Sequence, residues 1–331
     1  MSSNDTELIN FLVNISNNVN RYFPTIIFLI GTIGNILNIL TLSQRRLRQI
    51  PCVFFFLISS ICSLISIDFG LITRVLSGFV VDPTYTIGWF CKFRTFVVFS
   101  TRAMVFWLIV MATIDRWLSS SIETSFRRRS SMKNAYRATI FVIFLSMIVY
   151  GQLLYCYDAN LINAPFKCYA KNYSCQLLAD LTFVCFTTIV PILFMLVFGL
   201  LTILNIRQSQ RRVLQMSITN PQASVVHELQ IQTRKNDRSL LRMILVQVFL
   251  LGSLTLPQAT QRLYAVLVDS SSYSKLQSTI DMFIYNIVLL LTYLASAMQF
   301  YIFTLTGGTL FRQALFDLIK SFFDIKHLCQ K

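Results

Sequence analysis

Seven stretches of this chain, at about 22–43, 52–77, 91–118, 135–156, 180–205, 240–267 and 280–306, are long and apolar enough to cross the hydrocarbon core of a bilayer. Roughly 20 apolar residues suffice, because lipid offers no partner to bare backbone groups and a helix pairs them internally. Buried helices of a water-soluble protein would carry a polar face, whereas VFFFLISSICSLI and IFVIFLSMIVY are apolar all round. Only 13% of the residues are charged, against about 25% in soluble chains. The expected fold is all-α, a seven-transmembrane helix bundle.

The charges between the stretches orient it. The net charge is +15, and most of the 29 basic residues fall on one side: Arg45, Arg46 and Arg48, then Arg127, Arg128, Arg129 and Lys133, then the polar segment 206–239, then the C-terminal tail. By the positive-inside rule that side is cytoplasmic and the N-terminus lies outside. Three glycosylation sequons, at Asn4, Asn14 and Asn172, all land on the expected outer side. The basic clusters then face anionic inner-leaflet lipid rather than nucleic acid. The polar, acidic start carries no basic n-region, so the first apolar run is expected to act as its own targeting signal. The eight cysteines form no CxxC pair, the two histidines (His227 and His327) lie in polar segments, and no repeat is visible. Neither a metal site, a cofactor nor a catalytic centre is expected.

Local motifs must choose among seven-helix functions. The third stretch has Cys91 at its outer start and Ile114-Asp115-Arg116-Trp117 at its inner end, with 25 residues from the cysteine to Arg116. With these residues the chain resembles the rhodopsin-like family of G-protein-coupled receptors, of the FMRFamide-receptor-like invertebrate kind. Other matches are Gly34-Asn35 in the first span, Pro191 in the fifth and Pro257 in the sixth. The resemblance implies that Arg116 contacts a heterotrimeric G protein, with Asp115 holding it at rest, Trp117 completing the triplet and Asp237 as its acidic partner. A solvated loop aspartate beside Arg234, Lys235 and Arg238 is the plain alternative for Asp237. It implies that Asn35 bonds across to helices two and seven, and that Pro191 and Pro257 are hinges, since a helix-interior proline frees a carbonyl. It also implies a disulfide from Cys91 to the loop before the fifth span, where Cys168 is favoured for its easier reach and Cys175 also qualifies. FRQALFDLIKSFF, from Phe311, reads as a short amphipathic eighth helix with Leu315, Leu318, Ile319, Phe322 and Phe323 on the face of Phe311. Cys329 is a candidate for palmitate.

The expected organisation is an extracellular N-terminal tail (1–21), a receptor domain (22–306), and an amphipathic helix with cytoplasmic tail (307–331). The pattern also has departures. Ser63 stands at the family's sodium position, Leu254-Thr255-Leu256-Pro257 lacks the aromatic toggle, Gly199 replaces the fifth-span tyrosine, and Gln299-Phe300-Tyr301-Ile302-Phe303 replaces N-P-x-x-Y. The amine-binding aspartate position is Val98 and the retinal-lysine position Tyr293, so neither ligand class is expected. Charges inside a membrane are functional candidates by default. Arg102 is therefore a candidate for an acidic or carbonyl-rich ligand group, with Asp68, Arg74, Gln258 and Arg262 in the same cavity. The competing reading is a structural Asp68–Arg102 pair. The expected function is a plasma-membrane receptor for an extracellular ligand, a neuropeptide before a chemosensory small molecule, with a transporter or channel as the more distant alternative and no enzyme activity.

Overall fold

The computed structural model describes residues 3–77, 83–161, 168–219, 224–268 and 274–328, with no description of the side chains at 3–4, 46, 77, 83, 210–238, 309–310 and 321–328. The chain folds as a bundle of α1 (Ser3–Leu42), α2 (Pro51–Ser77), α3 (Gly88–Ser120) and α4 (Met132–Tyr150), then α5, α6 (Ser224–Leu267), α7 (Lys275–Ala297), α8 (Gln299–Thr306) and α9 (Gly308–Leu328). Helix α5 is continuous but not uniform: Tyr173–Thr182 is α-helical, Phe183–Ile189 is π-helical and Val190–Thr219 is α-helical again. Among the described residues, seven helices are long and apolar enough to cross a membrane. Side-chain oxygens mark three of the helix starts. Ser131, Asn172 and Ser274 accept from the amides of Asn134, Cys175 and Gln277, taking up donors that a helix's first turn leaves bare.

The bundle is inside-out relative to a soluble protein. Ile26, Leu29, Ile33, Ile36 and Leu40 form an exposed stripe along α1, and Ile140, Phe141, Phe144 and Ile148 another along α4. Such continuous apolar surface belongs against lipid. Polar side chains turn inward: Asn35, Asn38, Ser60, Ser63 and Gln299 are all buried. Asn35 Nδ2 donates to the carbonyls of Gly31 (2.8 Å) and Ser296 (3.3 Å), which ties α1 to α7. The link to α2 comes one turn later, from Asn38 to Ser60 (3.4 Å), and Ser60 in turn donates to Gln299 (3.4 Å). The expected reach of Asn35 to helices two and seven is thus divided between two asparagines. Helix α3 is the most enclosed of the seven, packed between α2, α4 and α5.

Four boundaries differ from the apolar runs. Helix α1 begins at Ser3, so most of the expected tail 1–21 is helical; 40 residues make a rod of about 60 Å, twice the hydrocarbon thickness. The fifth span begins at Tyr173, which places Asp180 within it. The seventh breaks at Met298 without a proline. The fourth ends at Tyr150 and is continued by the turn Leu153–Cys156.

Both expected prolines lie in helices. Pro257 is inside α6. Pro191 follows the π-helical stretch and lacks the N–H that would bond five residues back, to Phe186. That carbonyl accepts instead from the indole of Trp107 on α3, at 3.0 Å. The proline's missing bond is therefore replaced by an interhelical one.

After α8 the chain turns at Gly308, whose φ of +66° disfavours any side chain. Phe311 and Ala314 of α9 are buried, while Phe316 and Ile319 face outward. Arg312 donates to the carbonyls of Thr304 and Leu305, and Gln44 to that of Ala314. The expected amphipathic eighth helix is present; Phe322, Phe323 and Cys329 lie outside the described side chains.

Candidate functional site

A cavity of about 490 Å³ opens at the end of the bundle that carries the two disulfides. Helix α3 supplies its floor with Val98, Phe99 and Arg102; α6 supplies Arg262, and α7 supplies Tyr285, Leu289 and Tyr293. The N-terminal half of α1 adds Asn17, Asn20 and Arg21. Across the mouth lies a two-stranded hairpin, β1 (Tyr157–Asp158) and β2 (Tyr169–Ala170), with Tyr157 opposite Ala170.

Two disulfides fix that hairpin. Cys91–Cys168 joins β2 to the start of α3, and Cys156–Cys175 joins β1 to the start of α5. The favoured partner of Cys91 is the one formed; Cys175 pairs with Cys156 instead. On the outer surface Asp158 accepts from the amide of Ala159 (3.0 Å) and meets Lys92 (3.4 Å) and Lys171 (3.5 Å). Partial burial alone would raise this carboxyl, but the amide and the two ammonium groups outweigh it and hold it below the usual carboxylate range. Burial pushes the phenols of Tyr157 and Tyr169 well above the ordinary tyrosine range. Both are therefore neutral hydrogen-bonding groups near neutral pH.

The lining is strongly basic. Arg21, Arg74, Arg94, Arg102 and Arg262 border the cavity, and no aspartate or glutamate does among the described residues. Most of the five are tied into the protein. Arg94 donates to the carbonyls of Phe69 (3.0 Å) and Gly70 (2.8 Å) of α2. Arg74 reaches the Oδ1 atoms of Asn20 and Asn286, both at 3.4 Å, and so bridges α1, α2 and α7. Arg262 forms a buried ion pair with Asp180, its guanidinium lying over the rings of Phe99 (4.9 Å) and Phe183 (4.8 Å).

Arg102 differs from these. It is 4% exposed, its Nη1 donates to Gln258 Oε1 at 3.4 Å, and its plane sits 4.5 Å from the ring of Tyr293. Its Nε and Nη2 have no partner.

Of the five residues expected in the pocket, the structure brings Arg74, Arg102 and Arg262 together. Gln258 lies behind Arg102 rather than on the cavity wall. Asp68 does not belong to the site: it faces α1 and accepts from Thr32 at 3.3 Å. The Asp68–Arg102 pair is absent: Asp68 accepts from Thr32, and Arg102 bonds Gln258 through Nη1 alone. The depth of Asp68 was readable from the register; the direction of its side chain around the helix was not. Val98 and Tyr293, singled out by counting from Arg116 and Gln299, both line the cavity.

Gly70 makes the position of Tyr293 possible. A Cβ at residue 70 would run into the hydroxyl end of the Tyr293 ring. Gly70→Ala is expected to destabilise the protein by about 1–3 kcal/mol through overpacking, read as a lower thermal midpoint of the purified protein. In the background of Tyr293→Ala the same change should cost markedly less. Equal costs in both backgrounds would mean that the ring is not the obstacle.

At the opposite end of α3, Arg116 Nη2 pairs with Asp115 Oδ2 at 2.9 Å, and Ser130 Oγ donates to Asp115 Oδ1 at 2.6 Å. Asp115 and Arg116 are 5% and 8% exposed. Trp117 packs on Phe126 and Phe198, with ring centroids 5.6 and 5.2 Å away. The expected Asp237–Arg116 contact lies outside the described side chains. No family model and no curated protein matches the chain.

Proposed function

We propose that this chain is a cell-surface receptor of the rhodopsin-like kind, which takes an extracellular ligand into the arginine-lined cavity and passes the event to a heterotrimeric G protein at Arg116. The observation that carries this reading is the run of α3. One buried helix lines a ligand-sized cavity with Arg102 and holds the Asp115–Arg116 pair at its far end. The two arginines are 14 positions apart, a rise of about 21 Å. A ligand that favours one packing of α3 against its neighbours can shift the population at that far end.

Several features support placing the cavity outside. The disulfides need an oxidising compartment, and the exposed sequon asparagines Asn14 and Asn172 lie toward the same end. Asn172 caps α5 through Oδ1, which leaves Nδ2 for a glycan. The arginine-rich connections then face the cytoplasm. The cavity volume suits a small molecule or the terminal residue of a peptide, so the chemosensory and neuropeptide variants both fit within this reading.

The test is G-protein activation in cells against a broad panel of peptides and small molecules. Arg116→Ala is expected to abolish the response while ligand binding persists. Asp115→Asn removes the carboxylate that holds Arg116 and should raise ligand-independent activation about fivefold or more. A response indifferent to Arg116→Ala would remove the coupling role.

A further inference from the structure

Two adjacent donors of one buried guanidinium stand without partners beside a ligand-sized cavity. The Nε and Nη2 atoms of Arg102 are those on its side edge, the geometry that meets two oxygens of one carboxylate in parallel. Leaving such donors bare inside a protein is costly, and among the described residues no carboxylate stands on the cavity wall to meet them. The neighbouring Arg262 is already neutralised by Asp180. Gln258 and Tyr293 hold Arg102 from the other side and from one face, so the edge is oriented. Around it Val98, Phe99, Leu289 and the tyrosine rings make an apolar and aromatic wall.

We propose that the cavity binds a small organic acid, its carboxylate gripped by the Nε–Nη2 edge of Arg102 and its apolar or aromatic body packed against Val98, Leu289 and Tyr293. This deepens the receptor reading and rests on the cavity being a ligand site; it assigns the class of ligand. The edge is shielded from water in the ligand-free protein, so binding draws it out by a small rotation of the side chain. The ion pair thus formed lies in a water-poor site, where a charge-assisted bidentate pair is strongest.

The experiment uses the purified full-length chain in nanodiscs of neutral lipid, with no G protein present. Thermal unfolding is followed as 4-phenylbutyrate, its neutral amide, or inorganic phosphate is added. The carboxylate is expected to raise the midpoint saturably, with the amide and phosphate giving no shift. Arg102→Gln should abolish the shift without lowering the midpoint of the ligand-free protein, because it removes an unpaired buried charge. Arg102→Lys, which keeps the charge but loses the fork, should weaken the apparent affinity about tenfold. The proposal is overturned if the amide stabilises as well as the acid, if the acid acts equally on Arg102→Gln, or if no shift occurs up to millimolar acid. A shift obtained only with anionic lipid in the nanodisc would make a lipid headgroup the occupant and likewise overturn it. A ligand that activates cells through Arg116 while ignoring Arg102→Gln would leave the receptor reading standing and this inference fallen. Binding of the acid without any cellular response would do the reverse.

Discussion

Replacing Asp180 by alanine is expected to lower the stability of the bundle by about 3–5 kcal/mol, the usual consequence of stripping one partner from a buried ion pair. The side chains of Arg262 and Asp180 are 7% and 6% exposed, so water cannot take the place of the lost carboxylate. The guanidinium lies over the rings of Phe99 and Phe183, whose faces attract a cation but do not replace a full charge. Arg262 Nε already lacks a partner, and the nearby Tyr157 hydroxyl is a neutral acceptor that cannot replace the carboxylate charge. The pair also joins α5 to α6, so its loss loosens the wall of the cavity. The measurement is the thermal midpoint of the purified protein, with surface expression as the cellular counterpart. Asp180→Leu combined with Arg262→Met removes both charges and should return to within about 1 kcal/mol of the parent, because two apolar groups need no mutual compensation. If Asp180→Ala alone stays that close to the parent, the pair is exposed to solvent in the membrane and the cavity wall is not enclosed.

The same two residues indicate what a sequence of this kind can tell. Helices came out of it well, since an uninterrupted apolar run leaves the backbone no alternative in lipid. Arg102 was legible for a related reason: a charge in the middle of such a run is conspicuous, whatever its partners. Val98 and Tyr293, reached by counting only to the amine-aspartate and retinal-lysine positions, line the cavity, since axial depth is linear in residue number. Azimuth is not so simply read. Asp68 sits at a plausible depth but faces Thr32 on α1, and nothing local to it distinguishes that side from the cavity side. Long-range partners were hidden as well. Asp180 and Arg262 lie 82 residues apart, and the donor to the Phe186 carbonyl is 79 residues away on α3. The π-helical stretch depends on that distant indole, so the proline announced a break without revealing its form. The start of α1 was missed because Asn, Ser and Asp at 3–20 break the apolar run without breaking a helix.

Breaking the Cys91–Cys168 bond is expected to cost about 2–5 kcal/mol, and to cost more than breaking Cys156–Cys175 by about 1 kcal/mol. The first bond closes a loop with a sequence separation of 77 residues and the second one of 19, and the entropy withheld from the unfolded chain grows with the logarithm of that length. The two also differ in what they position. Cys168 borders the cavity, beside Thr95 of α3; cutting its bond frees β2 and carries Tyr169 away from the mouth. Cys156–Cys175 only fastens β1 to the start of α5, which the Asn172 cap also secures. The comparison uses paired serine substitutions, Cys91→Ser with Cys168→Ser and Cys156→Ser with Cys175→Ser, so that no unpaired thiol reshuffles. Thermal midpoints give the order. Binding of 4-phenylbutyrate should be weakened chiefly in the first pair, through a faster exit once the mouth is open. Peptide mapping of the unreduced parent fixes the connectivity directly. A Cys91–Cys175 fragment in that map, or a larger loss of stability in the second pair, would mean that the hairpin is not the cavity's fixed cover.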